Sequence, residues 1–281
     1  LMPFFERDRV RFHFQERGAG SPFVFQHGLG GDTRQILDLY TPPPGVRLIT
    51  LDSRAHGATA PLGDTTKLNF NAMADDLVAL LDHLDIASAV IGGISMGAGV
   101  ALNVALRHPQ RLRGLILSRP AWLDRPLPPN LLVYPAIAWL LRTYGAGEGR
   151  RRFAASGAYA QVLAAGPDAA ASLLGQFEQA RARARVARLE RIPLDSPCPS
   201  LAACSAIAAP ALILATRRDP IHPVEIAEEL AGAIPAARLV EVTSKSADRE
   251  RHRREVQAAI DAFLAGVPAT QPSGRPAARR A

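Results

Sequence analysis

Residues 89–107 read AVIGGISMGAGVALNVALR and contain the pattern that decides the fold. The apolar run 89–92 predicts a buried strand, and residues 96–107 predict a helix. The G-x-S-x-G pattern Gly93-Ile94-Ser95-Met96-Gly97 lies between them. Glycines at such a strand-to-helix turn permit a sharp bend that exposes the serine hydroxyl at the sheet edge. We therefore predict that Ser95 is a nucleophile; the structural alternative is a glycine-rich turn whose serine caps the helix.

The rest of the chain alternates short apolar runs with segments of helical periodicity. We predict strands at residues 10–15, 23–26, 47–51, 115–118, 211–215 and 239–242, and further helices at 69–84, 223–232 and 248–264. This alternation is typical of α/β proteins in which helices flank a mainly parallel central sheet.

Residues 121–200 interrupt the alternation, because no buried-strand signal occurs there and helix-like pieces at 130–143 and 170–191 dominate. We expect a core formed by residues 1–120 and 201–264, with residues 121–200 inserted as a helical lid. Residues 265–281 are rich in Pro, Ala, Gly and Arg without apolar periodicity, so we expect a disordered tail.

The charge balance could suggest a nucleic-acid partner. The 281 residues include 33 basic and 26 acidic side chains, and the formal net charge is +7. Residues 121–200 and 265–281 carry this excess, and the predicted core is near neutral. We interpret the arginine-rich segment 181–191 as a solvated helix face, with Val186 and Leu189 inward, because no aromatic residues interleave the arginines. No nucleic-acid partner is therefore expected.

Composition, apolar stretches and cysteine content indicate the cellular compartment and whether a metal or cofactor is needed. With 48% hydrophobic and 21% charged residues, the composition is that of an ordinary globular protein. No apolar stretch reaches the 18 residues that a membrane span requires, and residues 1–11 lack the apolar run of a signal peptide. Two cysteines far from any metal-like cluster are typical of a reduced compartment. We predict a cytoplasmic protein that needs neither metal nor cofactor.

On these motifs the chain resembles the α/β-hydrolase superfamily over residues 4–264. The segment HGLGGD at 27–32 is similar to the family's oxyanion loop, and DSRAHG at 52–57 is similar to its D-x-R-G-H-G turn, with Ala55 replacing a glycine. The resemblance implies an α/β-hydrolase fold with an inserted helical lid. It also implies an oxyanion hole formed by the backbone N–H groups of Leu29 and Met96, and a structural role for Asp52, Arg54 and His56.

The resemblance also assigns the acid, but the base departs from the family pattern. Asp219, after the strand 211–215, matches the loop aspartate that orients the base; Asp124 is an alternative position used by some relatives. In typical members a Gly-His pair precedes the closing Phe-Leu of the final helix by about 17 residues. Counting back from Phe263 reaches Ser246, beside Lys245, and no histidine is there.

Two histidines remain candidates for the base. His252 lies on the inward side of the last predicted helix, one turn before Val256 and about 6 Å of helix rise from the helix start. We predict His252 as the base and His222 as its alternative, and a chain without a base is the third interpretation. The structural alternatives are a core histidine bonded to a backbone carbonyl for His252 and a loop residue for His222.

These interpretations predict a serine hydrolase that cleaves a small-molecule ester through Ser95, His252 and Asp219. Carbon–carbon bond hydrolysis and cofactor-free haloperoxidase activity share the serine arrangement and stay open. A non-catalytic binding protein that has lost its base is the rival from another class, and the oligomeric state is not predicted. The apolar residues that we expect to line an acyl pocket, unless they are plain core, are Trp122, Leu123, Leu127, Leu131, Tyr134 and Trp139.

Overall fold

The computed structural model describes residues 3–268. These residues form eight strands: β1 (Phe4–Arg7), β2 (Val10–Gly18), β3 (Gly20–Gln26), β4 (Gly45–Leu51), β5 (Ala89–Ile94), β6 (Leu112–Ser118), β7 (Ala211–Ala215) and β8 (Ala237–Glu241). They make one sheet in the order β1-β2-β4-β3-β5-β6-β7-β8. All pairs from β4 to β8 in this order are parallel, and the two pairs made by β2 are antiparallel.

Helices cover both faces of the sheet. They are α1 (Thr33–Leu39), α2 (Phe70–His83), α3 (Met96–Arg107), α4 (Val133–Ala154), α5 (Gly157–Ala165), α6 (Pro167–Glu178), α7 (Ala187–Arg191), α8 (Val224–Ala233) and α9 (Arg249–Gly266). The apolar cores place α2, α3 and α8 on one face and α1 and α9 on the other. Within residues 3–268, no helix has both the length and the apolar character of a membrane span.

The predicted mainly parallel sheet is confirmed. Each strand predicted from an apolar run is present, with its ends within three residues of the predicted ones. Every residue of β5 and β7 is buried, as expected for strands covered on both faces. The sequence patterns do not predict β1 or α1, because elements of four and seven residues are too short to show a clear period.

The segment between β6 and β7, residues 119–210, is hereafter called the insertion and contains α4 to α7. Its helices differ from the predicted ones in their bounds. Gly145, with φ 74° and ψ −177°, interrupts α4. The helix predicted over residues 170–191 is divided into α6 and α7, because residues 179–186 form turns. At the end of the chain α9 extends to Gly266, and residues 269–281 of the predicted tail lie outside the described residues.

The prediction that the arginine-rich segment 181–191 is a solvated helix face is wrong in part. Arg185 and Arg188 are 8% and 1% exposed, and the two predicted inward residues are buried with them, Val186 and Leu189. Arg185 donates hydrogen bonds to the carbonyl oxygens of Gly57 and Thr59 at 2.8 and 3.1 Å. This part of the segment therefore joins the insertion to the turn that follows β4.

A buried ion pair fixes that turn to α2. Arg54 donates from Nε and Nη2 to the two carboxylate oxygens of Asp76 at 2.5 and 2.7 Å. Arg7 also donates to Asp76, at 2.5 Å. The Arg54 and Asp76 side chains are at most 2% exposed. This geometry agrees with the structural role expected for Arg54.

We expect Asp76→Asn to lower the free energy of unfolding by about 3–5 kcal/mol, because it removes the buried bidentate partner of Arg54 and leaves this guanidinium only the partly exposed carboxylate of Asp8. Urea unfolding followed by tryptophan fluorescence measures the change. The matched control is Asp75→Asn: Asp75 pairs with Arg107 at a partly exposed site, and its loss should cost less than about 1 kcal/mol. Equal effects of the two substitutions would contradict a dominant contribution from the buried pair.

Candidate active site

The turn between β5 and α3 places Ser95 beside a cavity at the carboxyl edge of the sheet. Ser95 has φ 55° and ψ −111°, a conformation with positive φ that strains a residue bearing a Cβ. Its backbone N–H donates to Ser118 O at 3.0 Å. Within residues 3–268 its hydroxyl has no hydrogen-bond partner. The hydroxyl is therefore free to contact a substrate.

Two glycines let α3 approach the sheet closely at this turn. A Cβ added to Gly93 would lie 2.2 Å from the carbonyl carbon of Gly97. A Cβ added to Gly97 would lie 2.3 Å from the carbonyl oxygen of Gln26, at the end of β3. Both distances are far below van der Waals contact with backbone atoms, so neither position accepts a larger residue without a backbone shift. The G-x-S-x-G pattern is therefore also a packing requirement.

The loop after β3 holds the peptide between Gly28 and Leu29 in one orientation. The Ser53 N–H donates to His27 Nε2 at 3.0 Å, so Nδ1 carries the ring proton and donates to Gly28 O at 2.9 Å. The Gly31 N–H donates to the same oxygen at 2.9 Å. Because the C=O and N–H of a trans peptide point in opposite directions, the Leu29 N–H points away from these partners.

The two N–H groups predicted for the oxyanion hole are both available. Within the described residues, neither the Leu29 nor the Met96 N–H donates a hydrogen bond. Met96 is the first residue of α3, where backbone N–H groups have no partner in the helix. From the insertion, Gln176 Nε2 donates to Leu29 O at 3.1 Å and Arg188 donates to Gln176 Oε1 at 3.3 Å. The insertion thus contacts the loop after β3 from the side opposite the Leu29 N–H.

Asp219, in the loop after β7, is hydrogen-bonded to His222. The His222 Nδ1 and Asp219 Oδ2 atoms are 2.8 Å apart, and Arg119 Nη1 lies 3.2 Å from the same oxygen. The backbone N–H groups of Ile221 and His222 donate to Oδ1 at 3.2 Å. Burial alone would raise the pKa of the Asp219 carboxyl, but His222, Arg119 and the Ile221 N–H together hold it below its ordinary value. Asp219 is therefore ionised at neutral pH.

His222 has the features of a general base. Burial is the largest cause of a lowered pKa at His222, so its ring is neutral at pH 7. With the ionised Asp219 next to Nδ1, that nitrogen carries the proton and Nε2 keeps its lone pair. Nε2 is buried and has no hydrogen-bond partner within residues 3–268. His222 and Ser95 line the same cavity.

His252 also lines this cavity, but it has a different partner. Its Nδ1 donates to Thr243 O at 2.8 Å, and among the described residues no hydrogen bond joins it to Asp219. His252 is 2% exposed, and burial, together with the charge of Arg119, lowers its pKa to about 4. The structure thus brings Ser95 and both histidines to one cavity, and it pairs Asp219 with His222.

The cavity has a volume of about 460 Å³, within the range of small-molecule sites. Gly28, Leu29 and Ser95 line it from the core, and Tyr134, Ala169 and Ser172 line it from the insertion. Lys245, which sequence reasoning did not select, also lines it. In the part of the chain that the structure describes, no three His, Cys, Asp or Glu side chains are grouped to hold a metal ion.

The residues expected to line an acyl pocket lie in different environments. Of these six, Tyr134 lines the cavity, whereas Trp122 and Leu131 are core residues at most 2% exposed and Trp139 is 58% exposed. The remaining two line a separate surface groove, Leu123 and Leu127. The alternative acid position, Asp124, accepts a hydrogen bond from the Leu201 N–H at 2.9 Å.

A sequence model of the alpha/beta hydrolase fold matches residues 21–245. The chain belongs to the alpha/beta hydrolase family. The resemblance that we inferred from the motifs is thereby confirmed, and so is the α/β-hydrolase fold, which the observed sheet order shows independently.

Two curated relatives match less than half of this alpha/beta hydrolase. The dihydrolipoyllysine-residue acetyltransferase component of the acetoin cleaving system of Pseudomonas putida is 40% identical over 110 residues, which are 39% of this chain and 29% of that protein. The non-heme chloroperoxidase CPO-A1 of Kitasatospora aureofaciens is 37% identical over 114 residues, which are 40% of this chain and 41% of that protein. The chain thus spans less than half the length of the relatives that it matches at these identities.

Solved structures match the alpha/beta hydrolase more completely. A thermophilic esterase from Thermogutta terrifontis superimposes with a TM-score of 0.69 at 24% identity, covering 92% of this chain and 94% of the esterase. At this identity the likeness shows the shared fold.

Proposed function

We propose that this alpha/beta hydrolase is a serine hydrolase that cleaves a small-molecule ester. The observation that carries the proposal is the Asp219–His222 pair, whose imidazole keeps a free Nε2 and lines the same cavity as the unpaired Ser95 hydroxyl. A nucleophile, a base and an acid that orients the base are the three groups that activate a serine.

The proposed reaction uses these groups as nucleophile, base and acid. Ser95 Oγ attacks the ester carbonyl carbon while His222 Nε2 accepts the hydroxyl proton, and Asp219 stabilises the resulting imidazolium. The Leu29 and Met96 N–H groups stabilise the negative oxygen of the tetrahedral intermediate. His222 then donates the proton to the leaving alcohol. A water molecule, deprotonated by the same nitrogen, releases the acid from Ser95.

His252 is the competing base, and it is the one that the sequence favours. It lines the cavity, but its Nδ1 is bonded to a backbone carbonyl, which is the contact expected of a structural core histidine. A base needs a partner that fixes its tautomer and stabilises its positive charge, and a carboxylate does both. We therefore place His222 ahead of His252 in the proposed triad with Ser95 and Asp219.

The insertion is proposed to act as the lid of this site. Tyr134 of α4 and Ser172 of α6 line the cavity, and Gln176 holds the carbonyl of Leu29. These helices form part of the cavity wall and also contact the proposed oxyanion loop. They can therefore shield the substrate from water and at the same time hold the Leu29 N–H in position.

A second candidate activity is that of a cofactor-free haloperoxidase, favoured by the 37% identity over 114 residues to the Kitasatospora enzyme. Peroxide-dependent bromination of an organic dye tests it, with Ser95→Ala as the control. Carbon–carbon bond hydrolysis would use the same serine and base and is tested with the same variant.

We expect a fluorophosphonate probe to label the wild-type protein at Ser95 and to leave Ser95→Ala unlabelled, because the reagent reacts with serines that an adjacent base activates. Gel fluorescence and peptide mass spectrometry measure the labelling, and heat-denatured protein is the control for nonspecific reaction. Absence of labelling under conditions that modify a known serine hydrolase would favour the non-catalytic binding protein.

We expect His222→Ala to lower kcat for p-nitrophenyl acetate by about a hundredfold or more, because proton transfer then has no positioned base. His252→Ala is the matched control, since it removes an imidazole from the same cavity, and its loss should be less than about tenfold. Circular dichroism establishes that both variants fold. The reverse order of losses would assign the base to His252.

We expect the acid limb of the kcat/KM profile to lie below pH 6.5, the ordinary value for histidine. The base acts when neutral, so activity is full above its pKa and is lost as pH falls through it. Since burial lowers the pKa of His222, the loss occurs at a more acidic pH than for an exposed imidazole. Initial rates between pH 4 and 8, with folding checked at each pH, measure the limb; a midpoint above pH 6.5 would contradict this assignment.

A further inference from the structure

Lys245 is a basic side chain in the candidate active site for which the proposed triad has no role. It lies between β8 and α9, beside the position where typical family members carry their base, and it lines the cavity together with Ser95. The chain has 33 basic residues, and only two of them are lysines, Lys67 and Lys245.

Among the described residues, Lys245 is the cation of the cavity wall without a hydrogen-bond or ion-pair partner. Within residues 3–268 no hydrogen bond or ion pair of its Nζ is found. Each of the three arginines that line the cavity contacts a carboxylate at 2.7–3.2 Å: Arg119 with Asp219, Arg249 with Asp168, and Arg253 with Glu250. The remaining carboxylate of the lining, Asp38, is exposed to solvent. Among the described residues that line the cavity, Lys245 is thus the cation that forms no direct ion pair.

Lys245 is half-buried, and this makes its unpaired charge costly for the protein alone. The pKa of the Lys245 ammonium is lowered to about 8, and burial is the largest cause. The charges of Arg119 and Arg249 lower this pKa further, whereas the Asp168 and Asp219 carboxylates raise it. The ammonium is still charged at pH 7. A ligand carboxylate would relieve this cost, because a charge-assisted hydrogen bond is strongest where both groups are shielded from water.

The loop that carries Lys245 is fixed against the insertion. The Asp168 N–H, at the start of α6, donates to Ser246 Oγ at 3.1 Å, and the Arg249 guanidinium pairs with the Asp168 carboxylate at 3.0 Å. The cavity of about 460 Å³ is small enough for one small molecule to contact both Ser95 and Lys245.

We propose that Lys245 binds a carboxylate of the substrate, so that the enzyme acts on esters that carry a free carboxylate on the acyl chain, such as monoesters of dicarboxylic acids. The inference rests on the proposed function, since it names the substrate class of the same site. Lys245 acts here as a specificity-determining residue and takes no proton from Ser95.

The test compares monomethyl glutarate with dimethyl glutarate at pH 7, because the two esters differ in one carboxylate. We expect kcat/KM of the wild type to favour the monoester by about tenfold or more, the effect of one charge-assisted hydrogen bond. In Lys245→Met the ratio should fall at least tenfold, and in Lys245→Arg most of the preference should remain. Lys67→Met is the matched control, because Lys67 is 40% exposed and bound to Asp8, and it should keep the wild-type ratio.

Binding to the full chain with Ser95→Ala separates this inference from the proposed function, because calorimetry needs no turnover. Monomethyl glutarate should bind at least tenfold more weakly when Lys245→Met is added to Ser95→Ala, whether or not the wild type hydrolyses either ester. Lys245→Gln replaces Lys245→Met if the latter does not fold. The inference would be overturned if Lys245→Met changed neither the monoester-to-diester ratio of kcat/KM nor the binding of monomethyl glutarate. If Lys245→Met lowered turnover of both esters equally and left binding unchanged, Lys245 would instead act as a base.

Discussion

The contact on which the candidate site depends is the close approach of α3 to the ends of β3 and β5. Gly97 lies so near the Gln26 carbonyl, and Gly93 so near Gly97, that a Cβ at either glycine would overlap backbone atoms. This approach forces Ser95 to a positive φ and puts its hydroxyl beside the cavity. It also puts the start of α3 next to the loop after β3, because Gln26 is the last residue of that strand. The proposed nucleophile and both groups of the proposed oxyanion hole therefore share one packing constraint.

Polar contacts join the loops after β3 and β4 to α2 and to the insertion. The Arg54–Asp76 pair fixes the loop after β4 to α2, and Arg185 reaches that loop from the insertion. Arg188 and Gln176 continue the connection to Leu29. Buried guanidinium groups are costly unless each finds oxygen partners, so the contacts specify where the insertion lies. Two arginines of the basic segment 181–191, Arg185 and Arg188, thus help to join the insertion to the core.

How much of this the sequence predicts depends on how local each feature is. The Ser95 turn and the strands are set by short-range patterns, and the structure has them at the predicted places. The burial of His252 also follows from its position on α9. The hydrogen-bond partner of His252 Nδ1 cannot be predicted from this position, because Thr243 lies in a loop without periodicity. The hydrogen bond between Asp219 and His222 joins residues three apart in the loop DPIH, and that spacing was a signal for the pairing.

Arg188 shows a second limit of sequence reasoning. A run of alternating arginines is expected to be solvated, yet Arg188 is 1% exposed because residues 179–186 turn and change which side faces the core. No helical period describes such a turn. Its direction depends on contacts with Gly57 and Thr59, more than 120 residues earlier in the chain. Features of this kind require the three-dimensional structure.

In the proposed triad, one loop supplies both the acid and the base, and this frees another loop for a different role. Family members of the typical pattern take the acid after one strand and the histidine after the last, so both loops are committed to proton transfer. Here the loop after β7 carries Asp219 and His222 together. In this proposal the loop after β8 takes no part in proton transfer. Its cation can then contact substrate without competing for the Asp219 carboxylate, whose oxygens already bind His222, Arg119 and two backbone N–H groups. If His222 is the base and Lys245 binds the substrate carboxylate, the proposed base and the proposed substrate class both follow from the pairing of acid and base within one loop.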